Sequence, residues 1–575
     1  MKKKIEHILK KALGGKAEFD IFIPEQEAFG HYSTNAALRL AQIGKKPPHQ
    51  KLWYGGKNPL EIAGQIVAKI EKIAPRKFFE KIEIANPGFI NFWISKDTFQ
   101  KEFADIVKKK EKFGRSSIGA KKTVIFEYSG PNIAKRMHMG HLRSTIIGDA
   151  LANTFEFLGY NVVRWNYIGD WGTQFGKMIA AYKLWGDKKK IEKNPLDELQ
   201  KLYVRFHDEM KKNSELEARG QEEFKKLETG DRENRALWQW FRKESLKEFK
   251  KIYARLGIRF NIFVGESFYE KDLKPLVAEL LKKGIAEKSE GSVIVSLEKF
   301  GLAPALIQKS DGASLYLTRD IPNIRYRVKK FRPDSIFYVV GNEQSFHFQQ
   351  LFKIAEIIGI KKTKLVHIKH GFILGEQGKK LATREGRTIL FDEILKKSIN
   401  LAHKVVQKKN PELNEKEKSE IAEAVGIGAL KYGDLKENRN SDISFDWDRM
   451  LDFRGDSAPY IQYTYARLKS ILRKAGKFKS GNAKFLNGEN EYVLIRKIIE
   501  FSDVVEESAR MLLTNNLAKY LYELSNAANR YYESTPILND NDKMRRNARL
   551  ALVSAASAVL KSGLGLLGIK APEKI

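Results

Sequence analysis

Thr123-Val124-Ile125-Phe126-Glu127-Tyr128 and, further on, His138-Met139-Gly140-His141 decide the reading of this chain. The first stretch is β-branched and aromatic, which predicts a strand. After the tetrapeptide, Leu142, Ile146, Ala150, Phe155 and Leu158 recur at roughly helical spacing before Gly159, which predicts a helix. The tetrapeptide therefore sits where a strand turns into a helix, and there free backbone N–H groups and the positive end of the helix dipole favour an anion. Gly140 lets a ligand approach the backbone, and His138 and His141 add imidazole donors. Such a site suits a nucleotide phosphate and adenylyl transfer. Two histidines at this spacing also serve as helix caps, packed side chains or metal ligands, so the four residues alone leave those readings open.

With 575 residues the chain is long enough for several domains. A hydrophobic content of 42% places it among globular proteins. Its formal net charge of +33 predicts attraction to a polyanion, with nucleic acid the obvious candidate. Runs such as Lys108-Lys109-Lys110 and Lys188-Lys189-Lys190 read equally well as solvated surface, so charge permits a nucleic acid without demonstrating one. The absence of cysteine excludes disulfides and a thiolate zinc site, and no metal site or zinc is expected. The start, Met1-Lys2-Lys3-Lys4-Ile5, lacks the apolar core of a signal peptide, and the apolar run Leu550 to Leu560 is broken by Lys561. A soluble cytoplasmic protein without a membrane partner is expected.

Residues 1–116 read as an α+β unit: a helix at the start, another over His31 to Ala41, then strands around the Pro87-Gly88 turn within Ile82 to Ile94. The basic stretch Lys108 to Lys122 reads as a linker. From 117 to 410 strands alternate with helices, as a parallel doubly wound sheet requires. Strand 123–128, helix 141–158 and strand 161–168 make the first unit, a charged helical insertion occupies about 185–260, and strands return at Gly291–Ser296, Ala313–Leu317, Ser335–Val340 and Leu365–Leu374. From 411 to 575 amphipathic helices take over, predicting an all-helical unit.

Glu127 to Asp149, which contains Lys135 and the HxGH tetrapeptide, closely resembles the ATP-site segment of class I arginyl-tRNA synthetases. Asn166 to Gly176 resembles a second block of that family, and Asp456 to Arg467, Leu517 to Leu524 and Leu567 to Glu573 resemble its anticodon-binding bundle. The resemblance spans nearly the whole chain. It implies a multidomain α/β protein with a Rossmann-like catalytic core, an α+β N-terminal domain that contacts the outer corner of tRNA, and an all-α C-terminal anticodon-binding bundle. It further implies ATP with Mg²⁺, L-arginine and tRNA(Arg) as partners, a monomer, and activation that requires bound tRNA.

Adenylate formation needs fixed groups that meet charge building on pyrophosphate. His138, Gly140 and His141 are the first candidates. The resemblance adds a signature loop at residues 379–387, where Lys380 stands at the first lysine of the family's Lys-Met-Ser-Lys-Ser pattern, followed by Thr383 and Arg384. Leu381, Ala382 and Glu385 depart from the family form, and Thr383 occupies the second lysine position, for which Lys135 is taken to compensate. A guanidinium is matched best by carboxylates, and the resemblance assigns Glu127, Asn132, Tyr316, Asp320 and Gln344 to arginine. Asp320 also reads as an ordinary helix-start acid ahead of Pro322. Gly130 replaces a serine usual in the family. Tyr460, Tyr463 and Arg467 are tRNA candidates by base stacking, although aromatics at the spacing of Tyr460, Tyr463 and Tyr465 are also ordinary core. Rival readings are another class I specificity, glutamate or lysine, and a non-catalytic tRNA-binding paralogue. The two acids favour a cationic substrate, and the intact Lys135, His138, Gly140, His141 and Lys380 favour catalysis.

Overall fold

The computed structural model describes residues 1–15, 18–24, 26–43, 58–312, 315–374, 390–444, 446–479 and 481–575. The chain opens with α1 (Lys2–Ala12), β1 (Ile21–Phe22), β2 (Tyr32–Thr34), α2 (Ala36–Ile43), α3 (Pro59–Ile73), β3 (Phe79–Ala85), β4 (Phe89–Ile94) and α4 (Lys96–Lys109). The strands form an antiparallel sheet in the order β1-β2-β4-β3. Ile62, Ala63, Ile66 and Ile70 of α3 are buried at helical spacing. The helix expected over residues 31–41 is divided. Tyr32, Ser33 and Thr34 pair with Phe92, Asn91 and Ile90, and the helix begins only at Ala36. An available strand edge outweighs the local pattern for residues with good β-propensity.

The central part begins with β5 (Thr123–Glu127), α5 (Met139–Phe157) and β6 (Asn161–Ile168). Helices α6 (Thr173–Trp185), α7 (Lys188–Lys193), α8 (Pro195–Met210), α9 (Glu215–Thr229) and α10 (Arg232–Leu256) follow, so the region expected as a helical insertion is helical. Then come β7 (Ile262–Gly265), α11 (Glu270–Lys282), β8 (Glu287–Ser289), β9 (Ser292–Val295), β10 (Ala305–Gln308), α12 (Tyr316–Phe331), β11 (Ser335–Gly341), α13 (Ser345–Ile357), β12 (Lys364–His370) and β13 (Ile373–Leu374). Five of these strands make a parallel sheet in the order β12-β11-β5-β6-β7. Its central rows are apolar: Phe126 stacks on Phe337 with ring centroids 4.6 Å apart, and Phe155 of α5 closes on both. Helix α5 is buried on nearly every side, so it lacks a polar face.

Two expected strands differ. Gly291–Ser296 does contain β9, but β9 belongs to a separate antiparallel sheet ordered β10-β9-β8. Within Ala313–Leu317 the described residues give no strand, because α12 starts at Tyr316, where the Leu315 N–H donates to the Thr318 hydroxyl at 3.1 Å. Leu317, Ile321 and Ile324 then bury one helical stripe, and that packing overrides the extended preference of the short run.

The C-terminal part consists of α14 (Phe391–Lys409), α15 (Glu415–Leu435), β14 (Ile443–Ser444), α16 (Trp447–Met450), α17 (Ala458–Ala475), α18 (Glu489–Met511), α19 (Asn515–Ser534) and α20 (Lys543–Leu566). One short strand thus lies beyond residue 411. It pairs in parallel with β13, Ile373 beside Ile443, with the Ile443 N–H donating to the Phe372 carbonyl at 2.9 Å, so the two short segments satisfy each other's backbone groups. Helix α20 is long and apolar enough to cross a membrane, but 67% of its apolar window is buried among its neighbours.

Candidate active site

A cleft of about 740 Å³ opens at the carboxyl ends of β5, β6 and β11, beside the point where the strand order reverses, as expected for a ligand site on such a sheet. The loop after β5 is stitched to the end of β6: the Ile133 N–H donates to the Gly169 carbonyl and the Gly169 N–H to the Pro131 carbonyl, both at 3.1 Å. A Cβ on Gly169 would lie 1.8 Å from Asn132 Oδ1, so a larger residue there would displace the Asn132 side chain from its place in the cleft. Gly130, where the family resemblance expects serine, has φ +53° and lines the cleft through its backbone.

At one end of the cleft, His138 caps α5. The Gly140 N–H donates to His138 Nδ1 at 3.1 Å, and the His138 N–H donates to His141 Nδ1 at 3.2 Å. Both rings therefore carry their proton on Nε2. Burial, with His138 beside it, pushes His141 down to about 3, and burial and Lys135 lower His138. The two rings cap the helix start through Nδ1 and present neutral Nε2–H groups, so the capping reading of the tetrapeptide holds and leaves two donors available for a ligand. Lys135 does not line the cleft. Its ammonium lies over the Tyr203 ring of α8, 4.3 Å from the centroid. Lys380, Thr383 and Arg384, with the whole signature loop 379–387, lie outside the described residues.

Arg143, one turn into α5, is buried and pairs with Asp434 of α15 through Nε at 3.1 and 3.2 Å. Its Nη1 also donates to the Ser441 carbonyl at 2.9 Å. Burial pushes Asp434 up to about 6 against the pull of Arg143.

At the other end the cleft holds Glu127, Asn132, Tyr316, Asp320 and Gln344, so all five arginine candidates meet in one cavity. Asp320 lies in the second turn of α12 rather than at its cap, and its Oδ2 lies 2.7 Å from His347 Nε2. Tyr316 is 67% exposed at the mouth. Glu127 is paired with Arg327, itself fully buried and facing Trp165 at 4.4 Å, so burial raises the carboxyl while Arg327 opposes. Sequence reasoning missed four participants. Glu266 lines the cleft at the end of β7, pushed up to about 8 by burial although Arg319 sits 3.0 Å away. Tyr167 has a buried hydroxyl with no hydrogen-bond partner among the described residues. Arg327 supplies the cation facing Glu127, and the His347 ring nitrogen faces Asp320. Position at a strand's carboxyl end was the available signal for Glu266. The partners of the acids carry no such signal.

The tRNA candidates sit on α17. Tyr460 donates to Asn526 Oδ1 at 2.6 Å, and Arg467 donates to Asn529 Oδ1 at 2.8 Å. Tyr463 packs on Phe453 and under Arg467, and Tyr465 is core.

Comparison with known proteins agrees along the chain. Residues 102–447 match the family described as "tRNA synthetases class I (R), catalytic domain", 461–575 the "DALR anticodon binding domain", and 1–94 the "Arginyl tRNA synthetase N terminal domain". An arginine–tRNA ligase of Halothermothrix orenii is 42% identical over 559 residues, covering 96% of this chain and 95% of that one. Arginine–tRNA ligase 2 of Bacillus anthracis is 43% identical over 554 residues, covering 96% and 95%. Among solved structures, the arginyl-tRNA synthetase of Plasmodium falciparum superposes with TM-score 0.81 at 28% identity, covering 100% of this chain and 98% of that one. The Thermus thermophilus arginyl-tRNA synthetase shares the fold, with TM-score 0.84 at 23% identity over the full length of both. A strand-to-helix HxGH turn, a cleft of acids at the switch point of a parallel sheet and a helical C-terminal part thus meet matches over the whole length, and the chain belongs to the class I arginyl-tRNA synthetases, ligases that join arginine to tRNA.

Proposed function

We propose that the cleft activates L-arginine with ATP and passes the arginyl group to the 3′-terminal adenosine of tRNA(Arg). In the first step an arginine carboxylate oxygen attacks the α-phosphorus, the bond to the β-phosphate oxygen breaks, and pyrophosphate leaves. The Nε2–H groups of His138 and His141, the start of α5 at Gly140, and Lys380, Thr383 and Arg384 of the signature loop meet the phosphates. Lys135 joins them by leaving the Tyr203 ring. ATP enters as its Mg²⁺ complex, and the ion is held mainly by substrate phosphates. In the second step the terminal ribose 2′-hydroxyl attacks the adenylate carbonyl carbon, its proton is lost, and AMP departs.

Glu127, Asn132, Tyr316, Asp320 and Gln344 bind the arginine. Residues 1–116 contact the outer corner of the tRNA, 117–410 carry the chemistry, and the helices of 411–575 bind the anticodon, with Tyr460, Tyr463 and Arg467 at that surface. The protein acts as a cytoplasmic monomer. The observation that carries this reading is the meeting of Asp320, which has no guanidinium partner among the described residues, with the two HxGH imidazoles in one cleft, since such a carboxylate suits a guanidinium and repels glutamate. Charging assays with total tRNA and each amino acid in turn test it. Arginine alone should be esterified; charging of glutamate or lysine, or of nothing, would overturn the reading.

A further inference from the structure

The acids of the cleft are not equivalent. Glu127 faces the guanidinium of Arg327, and Glu266 faces Arg319 at 3.0 Å. A guanidinium stays charged at every working pH, so each of those two carboxyls has a permanent cation beside it from inside the protein, although burial still raises both. Asp320 differs. Its ion-pair partner among the described residues is His347, Nε2 to Oδ2 at 2.7 Å, with side chains 25% and 20% exposed. An ionised carboxylate only accepts, so the ring donates from Nε2. A neutral imidazole donates that hydrogen bond without cancelling the charge, whereas an imidazolium donates the same bond and cancels it. Both residues line the cleft, with Tyr316 one turn from Asp320 on the same face of α12.

We infer that His347 is a specificity-determining positioning residue: as a neutral donor it fixes one oxygen of Asp320 and leaves the carboxylate charge to the substrate's guanidinium, and as a cation it competes with the substrate. The inference rests on the arginine-activating reading above. The titratable groups facing this pair are Glu127 from β5 with Arg327 behind it, Glu266 after β7 with Arg319, Tyr167 of β6, Tyr338 of β11, and Glu343 in the turn before α13. The two arginines and the tyrosines hold one charge state near neutrality. Glu266 is pushed up to about 8 by burial, with Arg319 opposing and Asp170 and Asp320 adding to the rise, and it is the same in every His347 variant.

The test is the KM for arginine in the charging reaction at saturating ATP and tRNA, compared at one pH between the unaltered protein and two variants. His347→Gln keeps an amide donor but cannot take a charge, and should leave the arginine KM within about twofold of the unaltered value. His347→Lys carries a permanent cation and should raise the arginine KM about tenfold, while the KM for ATP stays within about twofold; tenfold corresponds to about 1.4 kcal/mol. Thermal shifts on adding arginine report binding without chemistry and show that each variant is folded. A folded His347→Gln protein whose arginine KM rises as far as that of His347→Lys, or a His347→Lys protein that binds arginine normally, would overturn the inference. Those results in a protein that still charges arginine leave the functional reading standing, whereas no arginine charging by the unaltered protein at any pH removes that reading.

Discussion

The two ends of the cleft solve opposite problems with opposite chemistry. The end proposed for the phosphates would face the most highly charged substrate, yet the two histidines there are held neutral by burial, and each ring's Nδ1 is spent on a backbone N–H. The end proposed for arginine would face a single cation, yet each of its acids already has a partner: Glu127 has Arg327, Glu266 has Arg319, and Asp320 is hydrogen-bonded to His347. Orientation explains the difference. A helix start already presents directed N–H groups, so neutral donors suffice to fix a polyanion. A buried pocket for a planar cation must hold carboxylates in place before the substrate arrives, and unpaired buried carboxylates are costly.

The hardest way to break this contrast is to remove a permanent partner from the charged end. Arg327→Met strands Glu127 in an apolar site and should cost about 3 to 5 kcal/mol in denaturant unfolding. A loss under about 1 kcal/mol would show that Glu127 simply takes up a proton. At the other end, His141→Ala should lower the adenylate-forming rate about 10²- to 10³-fold, the range for losing one directed donor to developing charge. Affinity for tRNA, measured by filter binding, should stay within about twofold; a parallel loss of both would mean damaged folding. Asp320→Asn should raise the arginine KM at least about 30-fold, roughly 2 kcal/mol, and leave the ATP value nearly unchanged. Equal shifts in both constants would erase the division between the ends.

A smaller effect sharpens the contrast through pH. His141 is held down at about 3 in the folded protein, below the ordinary value near 6.5. Above about pH 6.5 both folded and unfolded forms are neutral, so it contributes no slope there. As pH falls from there toward 3, the unfolded chain binds a proton that the folded one refuses, and stability is lost. His141→Asn should therefore lose about 1 to 2 kcal/mol less stability than the unaltered protein between pH 6.5 and 4.5. Identical losses in urea titrations at the two pH values would show that the ring charges in place.

The βαβ unit was legible in the sequence because Val124 to Phe126 and the apolar positions of α5 follow the periods of elements buried on both sides. The five arginine candidates were legible by resemblance, and they converge. What escaped was pairing over distance. Glu127 and Arg327 stand 200 positions apart, and nothing local in either stretch announces that one will neutralise the other. Tyr32 to Thr34 and the start of α12 were misread for a related reason: a partner strand in one case and a buried helical stripe in the other decided the conformation. Lys135 was read as a phosphate ligand, and the Tyr203 ring that holds it comes from the helical insertion.

The buried Arg143–Asp434 pair ties α15 to the first coil of α5, the helix on which His141 stands. Removing either side chain would strand the other charge inside the protein at about 3 to 5 kcal/mol, so the seating of that coil depends on a residue 291 positions further along the chain.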